Sequence, residues 1–310
     1  MYPEYTSCEL CPRRCGVNRN NGIAGRCHES SDLYVARAAL HYWEEPCISG
    51  TEGSGTLFFS GCGLNCVYCQ NREISRGESG KKISVERLSE IFFELAAKGA
   101  NNINLVTPTH YVPHIIDSIN RAKEKGLSLP IVYNTSGYEL PETLDLLRNT
   151  VDIFLADFRY TDSDTADAFS FAKDYPDCAK AAFNKMFELV GKPVFNEKGI
   201  MQKGIVARVL VLPDHADEAV RIVKYLYEHF GDDIYLSLLR QYTPLMNLPC
   251  DAGTARAGEK KYRSLMRTLT TYEYEKVVNA ALNLGVKNAY TQEKGTDKES
   301  FIPAFDNTGV

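Results

Sequence analysis

Short apolar runs that alternate six times with amphipathic segments constrain this chain more than any other feature. The runs are Thr56–Ser60, Asn102–Val106, Pro130–Tyr133, Asp152–Ala156, Ile205–Leu212 and Ile234–Leu239. Each is nearly continuous in apolar residues, which predicts strands buried on both faces. Helical patterns lie between them, at Ser84–Lys98, Pro113–Lys125, Pro141–Arg148, Cys178–Val190 and His215–Phe230. In the first of these, Ser84 is placed to cap, and Val85, Leu88, Ile91, Phe92 and Leu95 share one stripe. Such alternation predicts a parallel sheet with right-handed crossovers. Six units are too few to close an eight-stranded barrel, so a partial barrel or an open sheet is expected, with ligands at the C-terminal ends of the strands. The expected fold is α/β: a partial (β/α)6 barrel of parallel strands, preceded by a Cys-rich N-terminal extension. Three regions follow: residues 1–49, rich in Cys, Arg and Asn; residues 50–250, the core; and residues 251–310, a polar stretch, a helix and a tail.

The chain has ten cysteines, and eight of them fall within residues 8–69. The N-terminus shows no signal pattern and no long apolar span occurs, so a cytoplasmic, non-membrane protein is expected. In a reducing compartment, clustered cysteines point to metal or redox chemistry rather than disulfides. The net charge is −5, from 35 basic and 40 acidic residues, and no basic run appears. A nucleic-acid partner is therefore not expected.

Directly after the first strand the sequence reads FFSGCGLNCVYCQN, which spaces Cys62, Cys66 and Cys69 as C-x3-C-x2-C. Three thiolates on one loop can hold three irons of a four-iron cluster, where four would be usual. The fourth iron then stays open to another ligand. Zinc is the alternative, although this spacing is not a common zinc half-site.

This triplet, with the aromatic Tyr68 before its last Cys and a strand before it, resembles the signature of the radical S-adenosylmethionine (SAM) superfamily. The resemblance spans roughly residues 50–250. It is nearest to proteins related to pyruvate formate-lyase activating enzyme, and among them to a subgroup carrying CxLCPRxCGVxR, VTPTHY and QYTP. Here these are Cys8–Arg19, Val106–Tyr111 and Gln241–Pro244. The resemblance implies a four-iron–four-sulfur (4Fe–4S) cluster on Cys62, Cys66 and Cys69 whose open iron takes the methionine part of SAM. The reduced cluster would split the C5′–S bond, and the 5′-deoxyadenosyl radical would take hydrogen from a substrate. The substrate is either a backbone glycine of a partner protein, as in the activating enzymes, or something else. A flavodoxin or ferredoxin would be the reductant.

The resemblance also implies roles for individual residues. Tyr68 would contact the adenine region. The family's Gly-Gly-Glu motif is replaced by Thr107-Pro108-Thr109, so carbonyls and the hydroxyls of Thr107 and Thr109 would receive the methionine amine. Asn134, in Asn-Thr-Ser-Gly, stands near the ribose. Asp157 would accept from ribose or amine donors, and Arg159 would pair with the carboxylate.

Other positions come from the residues themselves. Arg208 is a charge inside an apolar strand, so it either points at the cofactor or pairs with Asp157 or Glu139. Gln241 and Tyr242 could face substrate, and His110 and His114 could line the same mouth. Cys8, Cys11, Cys15 and Cys27, spaced C-x2-C-x3-C-x11-C, could bind zinc or an auxiliary cluster, with Cys47 as a further ligand. A metal-free packed segment is the alternative there. Cys178 and Cys250 read as bland thiols. The competing functional classes are a non-catalytic iron–sulfur electron carrier or docking protein and, less well supported, radical modification of nucleic acid.

Overall fold

The computed structural model describes residues 1–245, 262–296 and 303–310. Cys250 and the opening of the polar C-terminal stretch lie outside the described residues. The strands are β1 (Leu33–His41), β2 (Ser54–Phe59), β3 (Lys81–Ile83), β4 (Ile103–Val106), β5 (Ile131–Thr135), β6 (Ile153–Asp157), β7 (Val194–Phe195), β8 (Met201–Leu210), β9 (Tyr235–Leu239) and β10 (Ala289–Thr291). The helices are α1 (Pro46–Ser49), α2 (Arg72–Ser75), α3 (Val85–Ala97), α4 (Val112–Glu124), α5 (Pro141–Asp145), α6 (Ser163–Ser170), α7 (Tyr175–Val190), α8 (Ala216–Phe230) and α9 (Thr271–Leu284).

Six parallel strands stand side by side in chain order, β2-β4-β5-β6-β8-β9. Because the order never reverses, each crossover advances by one strand and the sheet winds in one sense, as in a barrel. This is the expected partial (β/α)6 barrel. Three strands extend it beyond the expectation. β10 joins parallel to β9, and β1 and β3 join antiparallel at the other edge. β1 belongs to the N-terminal region, so that region shares the sheet with the core.

The two faces of the sheet differ because successive side chains alternate. Leu57, Leu105, Tyr133, Phe154, Ala207 and Leu236 belong to the main core with the apolar stripes of α3, α4, α7 and α8. Ser84 caps α3 as expected, accepting from Arg87 N at 3.1 Å. On the other face Val132, Ile153, Leu155 and Val206 pack against Cys47 and Ile48 of α1, a short turn from the N-terminal region. Farther along the same strands this face turns polar, presenting Asn134, Asp157 and Arg208. Those three positions are where the site is built.

Candidate active site

The loop after β2 carries the three cysteines. Gly61 begins it in the left-handed region, at φ +84°, and a Cβ there would meet the carbonyl oxygen of Cys27 at 2.6 Å. Only glycine lets the loop pass this close to the N-terminal segment. Cys62, Cys66 and Cys69 all line one cavity of about 110 Å3, together with Thr107, Asn134, Asp157, Arg159 and Arg208. It opens into a wider mouth of about 270 Å3 that Tyr68, Gln70, Gln241 and Tyr242 help to line. Of the ten residues expected to bind cluster or cofactor, nine thus line these two connected spaces.

Burial and their closeness make the three thiols costly to ionise together. Burial pushes Cys69 up to about 12, and the neighbouring Cys66 and Cys62 add to the shift. Burial and Cys66 likewise raise Cys62. Three thiolates that disfavour one another need metal charge between them to exist together. Donors are also in place: Ser170 Oγ donates to Cys66 Sγ at 3.0 Å. Tyr160 links Ser170 Oγ (2.7 Å) to Tyr68 OH (2.6 Å), and Arg159 Nη1 donates to Tyr68 OH at 3.4 Å.

A buried charge network forms the wall opposite the thiols. Asp157 ends β6 and bridges two guanidiniums: its Oδ1 accepts from Arg208 Nε at 2.7 Å and its Oδ2 from Arg159 Nη2 at 2.5 Å. The register that pairs Asp157 with Arg208 across β6 and β8 sets this contact. Arg208 also reaches Glu44 at 3.4 Å and Asn134 Oδ1 at 2.5 Å. Glu44 accepts in turn from Asn104 Nδ2 at 3.0 Å. Burial raises the Glu44 carboxyl against the pull of Arg208. Burial alone would lower Arg159, yet Asp157 and then Cys66 hold it well above its ordinary value. Arg159 Nε is buried and has no partner. It is a donor left over for an anionic ligand in the cavity.

Arg208 therefore pairs with Asp157, one of its two nominated partners, and not with Glu139. Glu139 lies elsewhere, accepting from Thr109 Oγ1 at 2.6 Å and from Thr135 Oγ1. Thr109 is accordingly the one expected cofactor residue outside the two connected spaces. It lines a smaller cleft with Cys11, Cys27, Cys62 and His110. Thr107 lines the main cavity at φ +59°, unusual for a β-branched residue. The expectation that both histidines line the mouth is corrected. His114 is buried under Tyr2 and Tyr5, and His110 donates from Nε2 to Ser60 O at 2.7 Å. Cys47 sits in the core beneath the sheet, apart from the other N-terminal cysteines. Glu44 was missed in the sequence. The signal for it was the unpaired charge of Arg208, which calls for a carboxylate.

Comparison with known proteins places the chain. Protein MJ0674 of Methanocaldococcus jannaschii is 27% identical over 285 residues, covering 89% of this chain and 75% of that protein. A Clostridium pasteurianum pyruvate formate-lyase-activating enzyme is 29% identical over 117 residues, covering 35% of this chain and 46% of the enzyme. Among solved structures, Streptococcus suis SuiB bound to S-adenosylmethionine shares a TM-score of 0.48 at 13% identity, over 76% of this chain and 49% of SuiB. The structure of anSMEcpe with bound AdoMet gives 0.44 at 13%, over 72% and 55%. The chain spans about half the length of these solved proteins. A model of the radical SAM superfamily matches residues 56–225, more than half of the 310, and the chain belongs to that superfamily.

Proposed function

We propose that this chain is a radical SAM enzyme whose Cys62, Cys66 and Cys69 hold three irons of a 4Fe–4S cluster. The observation that carries the reading is that these thiols line one cavity with Asp157, Arg159 and Arg208. When bound and reduced, the cluster supplies the electron that splits the C5′–S bond of SAM, leaving a radical that takes hydrogen from a substrate. The chain's own residues orient the cofactor. Arg159, with its buried free Nε, offers a donor to the methionine carboxylate. Asn134 and Asp157 offer acceptors to amine and ribose hydroxyls. Tyr68, fully enclosed against Phe169 and Tyr242, bounds the adenine side.

The mouth is lined by Trp43, Gln70, Gln241 and Gln292. Their amides are tied within the protein, Gln70 Nε2 to Gln241 O at 2.7 Å and Gln292 Nε2 to Gln241 Oε1 at 2.8 Å; this reading takes a segment of a partner protein as substrate, as in the activating enzymes the sequence resembles. A flavodoxin or ferredoxin serves as the reductant.

The test is anaerobic reconstitution, reduction with dithionite and measurement of 5′-deoxyadenosine from SAM. Production is expected in the intact protein and a loss of at least about 100-fold, about 2.7 kcal/mol of barrier, in Cys69→Ala. A protein that holds its iron, binds no SAM and makes no 5′-deoxyadenosine would instead be an electron carrier or docking protein.

A further inference from the structure

We propose that Cys8, Cys11, Cys15 and Cys27 hold a second iron–sulfur cluster, packed directly against the Cys62 loop. The proposal goes beyond the catalytic reading and does not need the first site to be loaded.

The four cysteines are gathered by the fold. Cys15 Sγ and Cys27 Sγ lie 3.5 and 3.6 Å from the point a Cβ on Gly25 would occupy. Cys11 Sγ lies 3.5 Å from the same point on Gly63, within the catalytic loop. Cys8 is held beside the neighbour of Cys15 by a short hairpin, in which Gly16 N donates to Cys8 O and Cys8 N to Val17 O, each at 3.0 Å. The segment is fastened to the catalytic loop from both sides. Cys62 N donates to Cys27 O at 3.2 Å, and Arg13 donates to Gly63 O and Ser170 O, each at 2.8 Å.

Three further observations point to an anionic, metal-bearing occupant. First, the sulfurs already receive donors: Arg26 N to Cys15 Sγ at 3.3 Å, and Arg19 Nη1 to Cys8 Sγ at 3.8 Å. Hydrogen bonds of this kind tune thiolate-bound clusters. Second, Arg19 is fully buried. Its guanidinium meets the carbonyls of Ser30 and His110, Cys8 Sγ and the Tyr5 ring. No carboxylate forms an ion pair with it among the described residues. The Glu29 carboxylate feels its charge without closing an ion pair, and a cluster ligated by four thiolates would supply the close negative charge that a buried cation needs. Third, His110 lines the cleft with Cys11, Cys27 and Cys62, and its Nδ1 is buried with no partner. Because Nε2 donates to Ser60 O, Nδ1 is left as an acceptor, and its lone pair bears on the metal of an occupant and not on its negative charge.

Four thiolates can hold either zinc or an iron–sulfur cluster; the proposal commits to iron, and zinc without iron is the outcome that overturns it.

The test is metal content after anaerobic reconstitution with iron and sulfide, with zinc measured in parallel. The Cys62/Cys66/Cys69→Ala variant should keep about four irons and show the absorption and Mössbauer signature of a thiolate-bound cluster. Adding Cys8/Cys11/Cys15/Cys27→Ser to it should remove them. The converse variant, with only the N-terminal four changed to Ser, should keep about four irons at the catalytic loop, against about eight in the intact protein. The proposal is overturned if the intact protein and the N-terminal variant hold the same iron, or if the N-terminal site holds one zinc and no iron. Failure of the catalytic reading would show separately, as absence of iron in the N-terminal variant.

Discussion

Replacing Asp157 with Asn keeps the shape of the β6 terminus but breaks its two-sided bridge. The carboxylate accepts from Arg208 on one oxygen and from Arg159 on the other. An amide offers one acceptor only, so its NH2 must face one guanidinium, donor against donor. Arg208 retains Glu44. Arg159 retains only the 3.4 Å contact to the Tyr68 hydroxyl, and its Nε already lacks a partner. The stranded charge is therefore Arg159. All three side chains are roughly four-fifths covered, at 16–21% exposure, so solvent relieves little of the cost. Breaking a buried ion pair from one side costs about 3–5 kcal/mol. For a chain of this size that lowers Tm by roughly 5–8 °C. The assay is thermal unfolding of the metal-free protein, followed by circular dichroism, so that loss of a bound cofactor does not enter. Arg159→Met placed in the Asp157→Asn background should recover part of the loss, because it removes the stranded cation. A Tm unchanged within about 2 °C, or a double variant no better than the single one, would refute the reasoning.

Two further perturbations test other parts of the site. Gly137→Ala, at φ +75°, would drive a methyl group into the carbonyl oxygen of Asp157; it should cost at least about 1–3 kcal/mol in urea unfolding, and a neutral outcome would show that the Asn134–Gly137 turn is not fixed by this approach. Glu139 has its carboxyl pushed up to about 7 by burial, from an ordinary value of 4.5. Its protonated form is favoured by folding, so its stabilisation is complete below about 4.5 and lost as pH rises through about 7. Stability should then fall by about 3 kcal/mol across that window, and Glu139→Gln should flatten the profile. Parallel profiles for the two proteins would sink this assignment.

The sequence carried the six parallel strands because each is a dense apolar run, and the winding follows from their unbroken order. It did not show β1, whose Leu33–His41 stretch places Arg37 and alanines among its apolar residues, nor the three-residue β3 and β10. These strands exist because neighbours offer free edges, which is tertiary information. The cysteine triplet and the Asp157 and Arg159 positions were legible because motif and strand end coincide. Glu44 was not, since it comes from a segment separated from Arg208 by 164 residues. Glu139 was nominated only because a buried arginine calls for a carboxylate partner. Its side chain turns towards Thr109 and Thr135 instead, so that choice needed the fold. The two histidines misled because proximity to a strand end in sequence does not say which way a ring turns.

The outer edge of β1 carries a consequence for how the chain is made. Ala38 N donates to Thr308 O at 2.8 Å, Asn307 N donates to Ala36 O at 3.0 Å, and Arg37 meets Asp306 at 3.1 Å. A strand near the start of the sequence is thus completed by residues some 269 positions later. Contacts of such separation form late, because a long loop must close before they reward it. On the ribosome β1 would pair first with β2 and β3, leaving part of its backbone open to water until residues 306–308 emerge. The emerging nascent chain therefore carries an exposed ribbon beside its own cysteine-bearing loop, and the arrival of that tail is the step that seals it.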